Sequence, residues 1–305
     1  MNRRHEAAAQ DGAWGRLIHR RTLLKGAGAM ALATGLPRAA AAANALPMSA
    51  PIHIGTVGLK VRDAERVSRW YQTAVGLREL SRDGAVIRLG AGDVPLLTLT
   101  QQEGLLLASR GEAGLFHTAF LLPSRQDLAR WIDMAIDEEV PVDGVADHLV
   151  SEAIYLTDPE GNGVEIYADT PQETWQWRGG QVEMATDPLD VEGILGTLGP
   201  IRLPWTGAPA GTVVGHVHLK VGEAERAARW WVDTLGFDPV RSRGQAVFLS
   251  TGGYHHHIAV NEWMSAGAGR RSEGATGLDF VELRRSGGGA PGRWTDDWGT
   301  EIRIV

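Results

Sequence analysis

The segment His148–Tyr167, HLVSEAIYLTDPEGNGVEIY, concentrates side chains able to do chemistry. Its pattern predicts two short strands, Glu152–Thr157 and Val164–Tyr167, joined by a turn over Asp158-Pro159-Glu160-Gly161-Asn162-Gly163. Pro fixes a negative φ in such a turn, and Gly and Asn tolerate positive φ. Strand alternation puts Val164 and Ile166 on one face and Glu165 and Tyr167 on the other. A carboxylate in mid-strand between two β-branched residues is either solvated or looks into a cavity that needs a negative charge. The chain has no Cys, so thiolate metal sites, Cys nucleophiles and disulfide scaffolds are excluded.

The elements that position these residues come from a chain of 305 residues, long enough for about two domains. Its net charge of −7, without a long basic run, gives no electrostatic support to nucleic-acid binding. No apolar run reaches the roughly 18–20 residues of a membrane span. Residues 1–45 read differently. Paired Arg20-Arg21 precede Thr22-Leu23-Leu24-Lys25, a weakly hydrophobic Gly26–Leu36 stretch and an Ala run ending Ala43-Asn44-Ala45. This order resembles a twin-arginine (Tat) export signal cleaved after Ala45, which predicts a periplasmic or extracellular location; without it the location would be cytoplasmic.

An internal repeat emerges when residues 59–76, LKVRDAERVSRWYQTAVG, are laid on 219–236, LKVGEAERAARWWVDTLG; nine of eighteen positions are identical. Each copy opens with a strand (Ile54–Val61, Val213–Val221). An amphipathic helix follows, with Val67, Trp70 and Tyr71 or Ala227, Trp230 and Trp231 on one face. Strand-like pieces then run over Ala85–Leu89 and Leu96–Thr100, and over Ala246–Ser250 and His256–Val260. A second kind of unit has a strand at Leu115–Leu122, a helix at Ser124–Glu138 with Ser124 as N-cap, and the strands of the opening segment. A fourth starts at Gly277 and ends at Trp298–Val305, with a Gly- and Pro-rich middle that lacks a helix. The fold class is therefore α+β, four tandem βαβββ units with the last truncated. The domain boundaries are 52–170 for units one and two, 171–212 for a connector with a short helix near Pro171–Trp177 and irregular chain beyond, and 213–305 for units three and four.

Such units in tandem, the second closing with DPEGNGVEIY, resemble the vicinal oxygen chelate superfamily of glyoxalase I, bleomycin-resistance proteins and type I extradiol dioxygenases. The resemblance covers about residues 52–305 and is strongest to catechol 2,3-dioxygenase-like members. It implies cupped mixed sheets, with metal ligands on the first and last strands of each unit. The first-strand position falls on His117 in unit two and His216 in unit three, but on Thr56 and Phe280 in units one and four. The last-strand position falls on Glu165 in unit two, near Thr98 in unit one, on Ile258 in unit three and on Arg303 in unit four. Only units two and three together collect two His and one carboxylate, the facial set used for non-haem Fe(2+), with Mn(2+) as an alternative. His216 would come from the same chain or from a second subunit of a homo-oligomer. His218 shares the strand face of His216 and could compete with it.

The resemblance further implies that Tyr155, ten residues before Glu165, hydrogen-bonds the substrate, and that His148 is the acid/base. It also implies that His256, in His256-His257-Ile258-Ala259, steadies bound oxygen. Strand parity with Ile258 turns His256 inward and His255 and His257 away. The implied activity is an Fe(2+)-dependent extradiol dioxygenase that opens a catechol with O2 to a hydroxymuconic semialdehyde. The alternatives are a glyoxalase-like lyase or isomerase, which would want a second carboxylate where Ile258 stands, and a non-catalytic protein gripping a small aromatic ligand in the cup of units one and four.

Overall fold

The computed structural model describes residues 45–305. The export signal therefore lies, apart from Ala45, outside the described residues. No helix among the described residues is long and apolar enough to cross a membrane.

A short helix α1 (Ala45–Ser49) leads into β1 (Ile52–Val61). Helix α2 (Ala64–Trp70) follows, extended by a π turn over Tyr71–Val75. Asp63 caps α2 by accepting from the Arg66 amide, and Gly76 ends the turn at φ 83°. Strands β2 (Arg78–Asp83), β3 (Val86–Ala91) and β4 (Val94–Gln101) complete unit one. Unit two is β5 (Gly114–Leu121), α3 (Arg125–Asp137), β6 (Gly144–Asp147), β7 (Ser151–Thr157) and β8 (Gly163–Asp169). Ser124 caps α3 by accepting from the Asp127 amide, and Leu128, Trp131, Ile132 and Ala135 form its buried face.

The connector is more ordered than its sequence predicts. It carries a 3₁₀ turn at Gln172–Thr174, a hairpin of β9 (Trp177–Arg178) and β10 (Gln181–Val182), and helix α4 (Val191–Gly196). Short stretches fixed by tertiary packing show no periodicity of their own, which is why they read as irregular chain. Unit three is β11 (Val213–Lys220), α5 (Ala224–Leu235), β12 (Asp238–Arg243), β13 (Ala246–Ser250) and β14 (Ile258–Asn261). Unit four keeps β15 (Gly277–Arg285), β16 (Gly292–Thr295) and β17 (Glu301–Ile304), without a helix.

Apart from the β9–β10 hairpin, these strands form two curled mixed sheets. One has the order β16-β17-β15-β1-β4-β3-β2; the other has the order β12-β13-β14-β11-β5-β8-β7-β6. Unit one thus joins unit four, and unit two joins unit three, each through a central antiparallel pair, β1 with β15 and β5 with β11. One apolar core unites the inner faces of both sheets with α2, α3 and α5. Trp131 of α3 is fully buried there and donates its indole N–H to the Ala74 carbonyl at 2.8 Å.

Both central pairs carry the same irregularities. In β11 Gly215 has no partner in the β5 ladder, and in β5 Phe116 has none. The ladder of β1 with β15 shifts register between Ile54 and Val57 and again at Asp279. Such bulges reverse which face the following residues take. Val214 lies in the core, yet after Gly215 it is His216 and His218 that join His117 and Ala119 on the concave face.

Candidate metal centre

Three strands bring the site together. His216 of β11 stands opposite Ala119 of β5, and Ala119 stands opposite Glu165 of β8. The methyl group of Ala119 leaves the space over which the flanking side chains meet. Glu165 Oε2 lies 3.2 Å from His216 Nε2 and 3.0 Å from His117 Nε2. One donor atom from each residue falls within 4.8 Å of the others. His117, Glu165 and His216 are 5%, 2% and 2% exposed, so the mid-strand carboxylate is buried rather than solvated.

The donor set fits a divalent cation. His117 Nε2 is buried 3.0 Å from Glu165 Oε2 and has no well-aligned hydrogen-bond partner among the described residues. Burial alone would raise the Glu165 carboxyl, but His216 and His117 hold it well below its ordinary value. Burial lowers His216 to about 4 despite the adjacent carboxylate. Near neutral pH Glu165 is therefore ionised and His216 is neutral, the states a metal ligand needs.

His218 pairs directly with His117 across the β5–β11 ladder but is otherwise engaged. The Trp263 amide donates to Asn261 Oδ1, which leaves Asn261 Nδ2 to donate to His218 Nε2 at 2.9 Å. His218 thus supports the wall of the cavity.

Tyr155 of β7 lies opposite Glu165, its ring 5.6 Å from that of His117. Its hydroxyl is 2.6 Å from His148 Nε2, and His148 Nδ1 is 2.7 Å from the Ala185 carbonyl. A carbonyl only accepts, so His148 donates from Nδ1 and its Nε2 accepts the Tyr155 proton. Burial, together with the Glu165 charge, pushes the Tyr155 phenol well above its ordinary value. The connector supplies Ala185, and its Trp175, Val182 and Met184 pack with Val240 and Tyr254.

Three expectations for the unit-three strand need correction. His256 does lie beside His216, at 4.1 Å between ring centroids, but strand parity does not put it there. β14 begins only at Ile258, and the residues before it are irregular. His255, expected to face away, instead reaches Asp169 at 3.0 Å and lies 6.1 Å from the His216 ring. His257 does point elsewhere, to the Pro47 carbonyl. The residue registered like Glu165 is Ala259, opposite His218, while Ile258 packs in the core.

In the other sheet Phe280 and Arg303 occupy the corresponding ligand positions. The guanidinium of Arg303 sits 3.6 Å from the Phe280 ring centroid. A Cβ on Gly58 would lie 2.2 Å from that ring. These side chains stand in the sheet of units one and four, where an aromatic ligand was the alternative expectation.

Beside His117 and Tyr155 opens a cavity of about 460 Å³, walled in part by Leu107, Phe116, Lys220, Met264 and Arg271. That size suits a small aromatic molecule. Phe116, the bulge residue, stacks edge-on against His218 and Trp263 at 5.0 and 5.3 Å. Phe116, Tyr254, His255, Asp169 and Ala185 were missed by sequence reasoning, because each reaches the site through a bulge, a turn, a strand end or the connector.

The chain belongs to the Glyoxalase/Bleomycin resistance protein/Dioxygenase superfamily, whose sequence profile matches residues 53–166. Within it, the chain is 38% identical over 236 residues to the catechol-2,3-dioxygenase of Bacillus subtilis (strain 168), covering 76% of this chain and 82% of that one. It is 36% identical over 93 residues to biphenyl-2,3-diol 1,2-dioxygenase 3 of Rhodococcus globerulus, covering 28% of this chain and 46% of the relative. The fold is also that of glyoxalase I from Zea mays, at 15% identity and a TM-score of 0.51 over 86% of this chain and 94% of that one.

Proposed function

We propose that the protein is an Fe(2+)-dependent extradiol dioxygenase that opens a catechol with O2 to a hydroxymuconic semialdehyde. The observation that carries this reading is the convergence of His117, Glu165 and His216 in a buried cup. The relatives named for cleaving aromatic diols support the substrate class. Bound by these three residues, Fe(2+) would bring a catecholate and O2 together and pass charge between them.

The chain's own groups do the rest. Phe116 and the cavity wall take the aromatic ring, and burial keeps bulk water from the reacting oxygens. Tyr155 keeps its proton and shares it with His148 Nε2, so this pair delivers or withdraws one proton as the ring opens. Buried polar groups of this kind are worth most in a dry site. The position registered with Glu165 in unit three is Ala259, which provides no second carboxylate for a lyase or isomerase. We also propose that residues 1–45 direct export, which a reporter fusion retained in the cytoplasm would contradict.

Catechol-dependent O2 uptake with appearance of the ring-opened chromophore tests the activity. Both are expected in the wild type and lost in Glu165→Ala. Uptake retained by the variant would refute the site, and a wild type without uptake would refute the activity.

A further inference from the structure

The wall of the cavity beside His117 and Tyr155 carries two cations that ring opening does not use. Gly114, the first residue of β5, lies three residues before His117, about 10 Å along the strand. Lys220 and Arg271 meet at that glycine. Lys220 of β11 is its ladder partner, and Arg271 crosses it, with Cδ 3.9 Å from where a Cβ on Gly114 would stand. No bulge interrupts β11 beyond His216, so Lys220 follows His216 and His218 on the concave face. Lys220 Nζ donates to the Arg110 carbonyl at 3.2 Å, and Arg271 Nη2 to the Asp279 carbonyl at 3.4 Å. Both acceptors are neutral, and among the described residues neither cation forms an ion pair. Burial lowers both groups from their ordinary values despite carboxylates at longer range. The acids of the same wall are already engaged. Glu160 accepts from the Arg62 and Asp63 amides, Asp143 from the Thr157 hydroxyl, and Glu112 from the Ser272 amide. A cation taken out of water without a counter-ion is costly, and a guanidinium with unused N–H groups matches a carboxylate in charge and shape.

We propose that Lys220 and Arg271 form a carboxylate subsite, and that the substrate is a catechol carrying a carboxylate on a short side chain. Its diol is directed to His117, Glu165 and His216, and its carboxylate to the two cations at Gly114. A bare catechol spans only part of the distance between His117 and Gly114, and a short acidic side chain covers the rest. Gly114, without a side chain of its own, leaves that end of the cavity open to it. That the anion belongs to a catechol rests on the ring-cleavage reading; the subsite itself does not.

Calorimetric binding of 3,4-dihydroxyphenylacetate and of its uncharged amide to anaerobically purified protein tests this, since nothing turns over without O2. The wild type is expected to bind the carboxylate about 10-fold or more tighter than the amide. Lys220→Met and Arg271→Met are each expected to lose most of that preference. Equal affinities in the wild type, or a preference intact in both variants, would overturn the subsite. The wild-type comparison decides even where a variant does not fold. Steady-state O2 uptake then separates the subsite from the reaction. The wild type is expected to show a higher kcat/KM for 3,4-dihydroxyphenylacetate than for catechol, and the variants a ratio closer to one. Cleavage of both compounds by the wild type at equal kcat/KM would overturn the subsite and leave the ring-cleavage reading standing. A carboxylate preference in binding with no O2 uptake from either compound would refute the ring-cleavage reading and leave the subsite standing.

Discussion

Ala119 shows how little the centre tolerates. It is fully buried on β5, between the strands bearing His216 and Glu165. Ala119→Leu would place a branched side chain where the three donors meet. Overpacking of this kind costs about 1–3 kcal/mol, so the fold should persist while metal content is lost. Elemental analysis beside a thermal melt checks this; a variant that keeps its metal would contradict the assigned geometry. Tyr155→Phe removes only the hydroxyl that faces His148. Its expected signature is a kcat lowered roughly 10²-fold with metal content unchanged, measured by steady-state turnover of catechol. Glu165 stood out because a carboxylate between β-branched residues is unusual, but the family resemblance was what placed Glu165 and His117 at ligand positions. His255 was not legible, because no alternation governs a residue in the turn before β14.

At the scale of elements, the bulges decide what faces the cup. Continuous alternation from Val213 would turn His216 into the core, and the unpaired Gly215 corrects it. Gly also has to stand there because an added Cβ would lie 1.8 Å from the Tyr167 hydroxyl. Sequence pattern located the strands but not the bulges, since Val213 and Val214 are both apolar and mask the change of phase at Gly215. The turn Asp158–Gly163 was legible in form but does more than reverse the chain. Glu160 accepts from the Arg62 and Asp63 amides and so fixes the start of α2. Another element link depends on protonation. His257 accepts from the Thr251 amide at Nδ1 and donates from Nε2 to the Pro47 carbonyl, which ties the chain before β1 to unit three. Burial lowers His257 to about 3, below its ordinary 6.5. The unfolded chain therefore takes up this proton first, and the stabilisation present above pH 6.5 is lost as pH falls toward 3. Melting temperature should drop between pH 7.5 and pH 5, and drop less in His257→Gln. Equal slopes for the two proteins would contradict the assignment.

At the scale of the molecule, each sheet draws on both halves of the chain. Units two and three share one sheet although the connector separates them in sequence. The crossed set of ligands was readable because only these two units carry His or Glu at the relevant positions; the ladder that unites them was not, since β5 and β11 contain no signal for their mutual register. Separately expressed 46–170 and 213–305 would each expose the unpaired edges of two central strands, which favours aggregation. Neither fragment should be soluble alone, and co-expression should recover a complex, as size-exclusion chromatography would show. A stable, monomeric 46–170 fragment would contradict this architecture. In the other sheet Phe280 and Arg303, at the corresponding positions, stack on each other. The central claim is that His117, Glu165 and His216 hold iron for catechol cleavage. Metal analysis of anaerobically purified wild type and Glu165→Ala tests it most directly: stoichiometric iron in the wild type and none in the variant is the predicted result. Another metal in the wild type, or equal iron in both proteins, would contradict it.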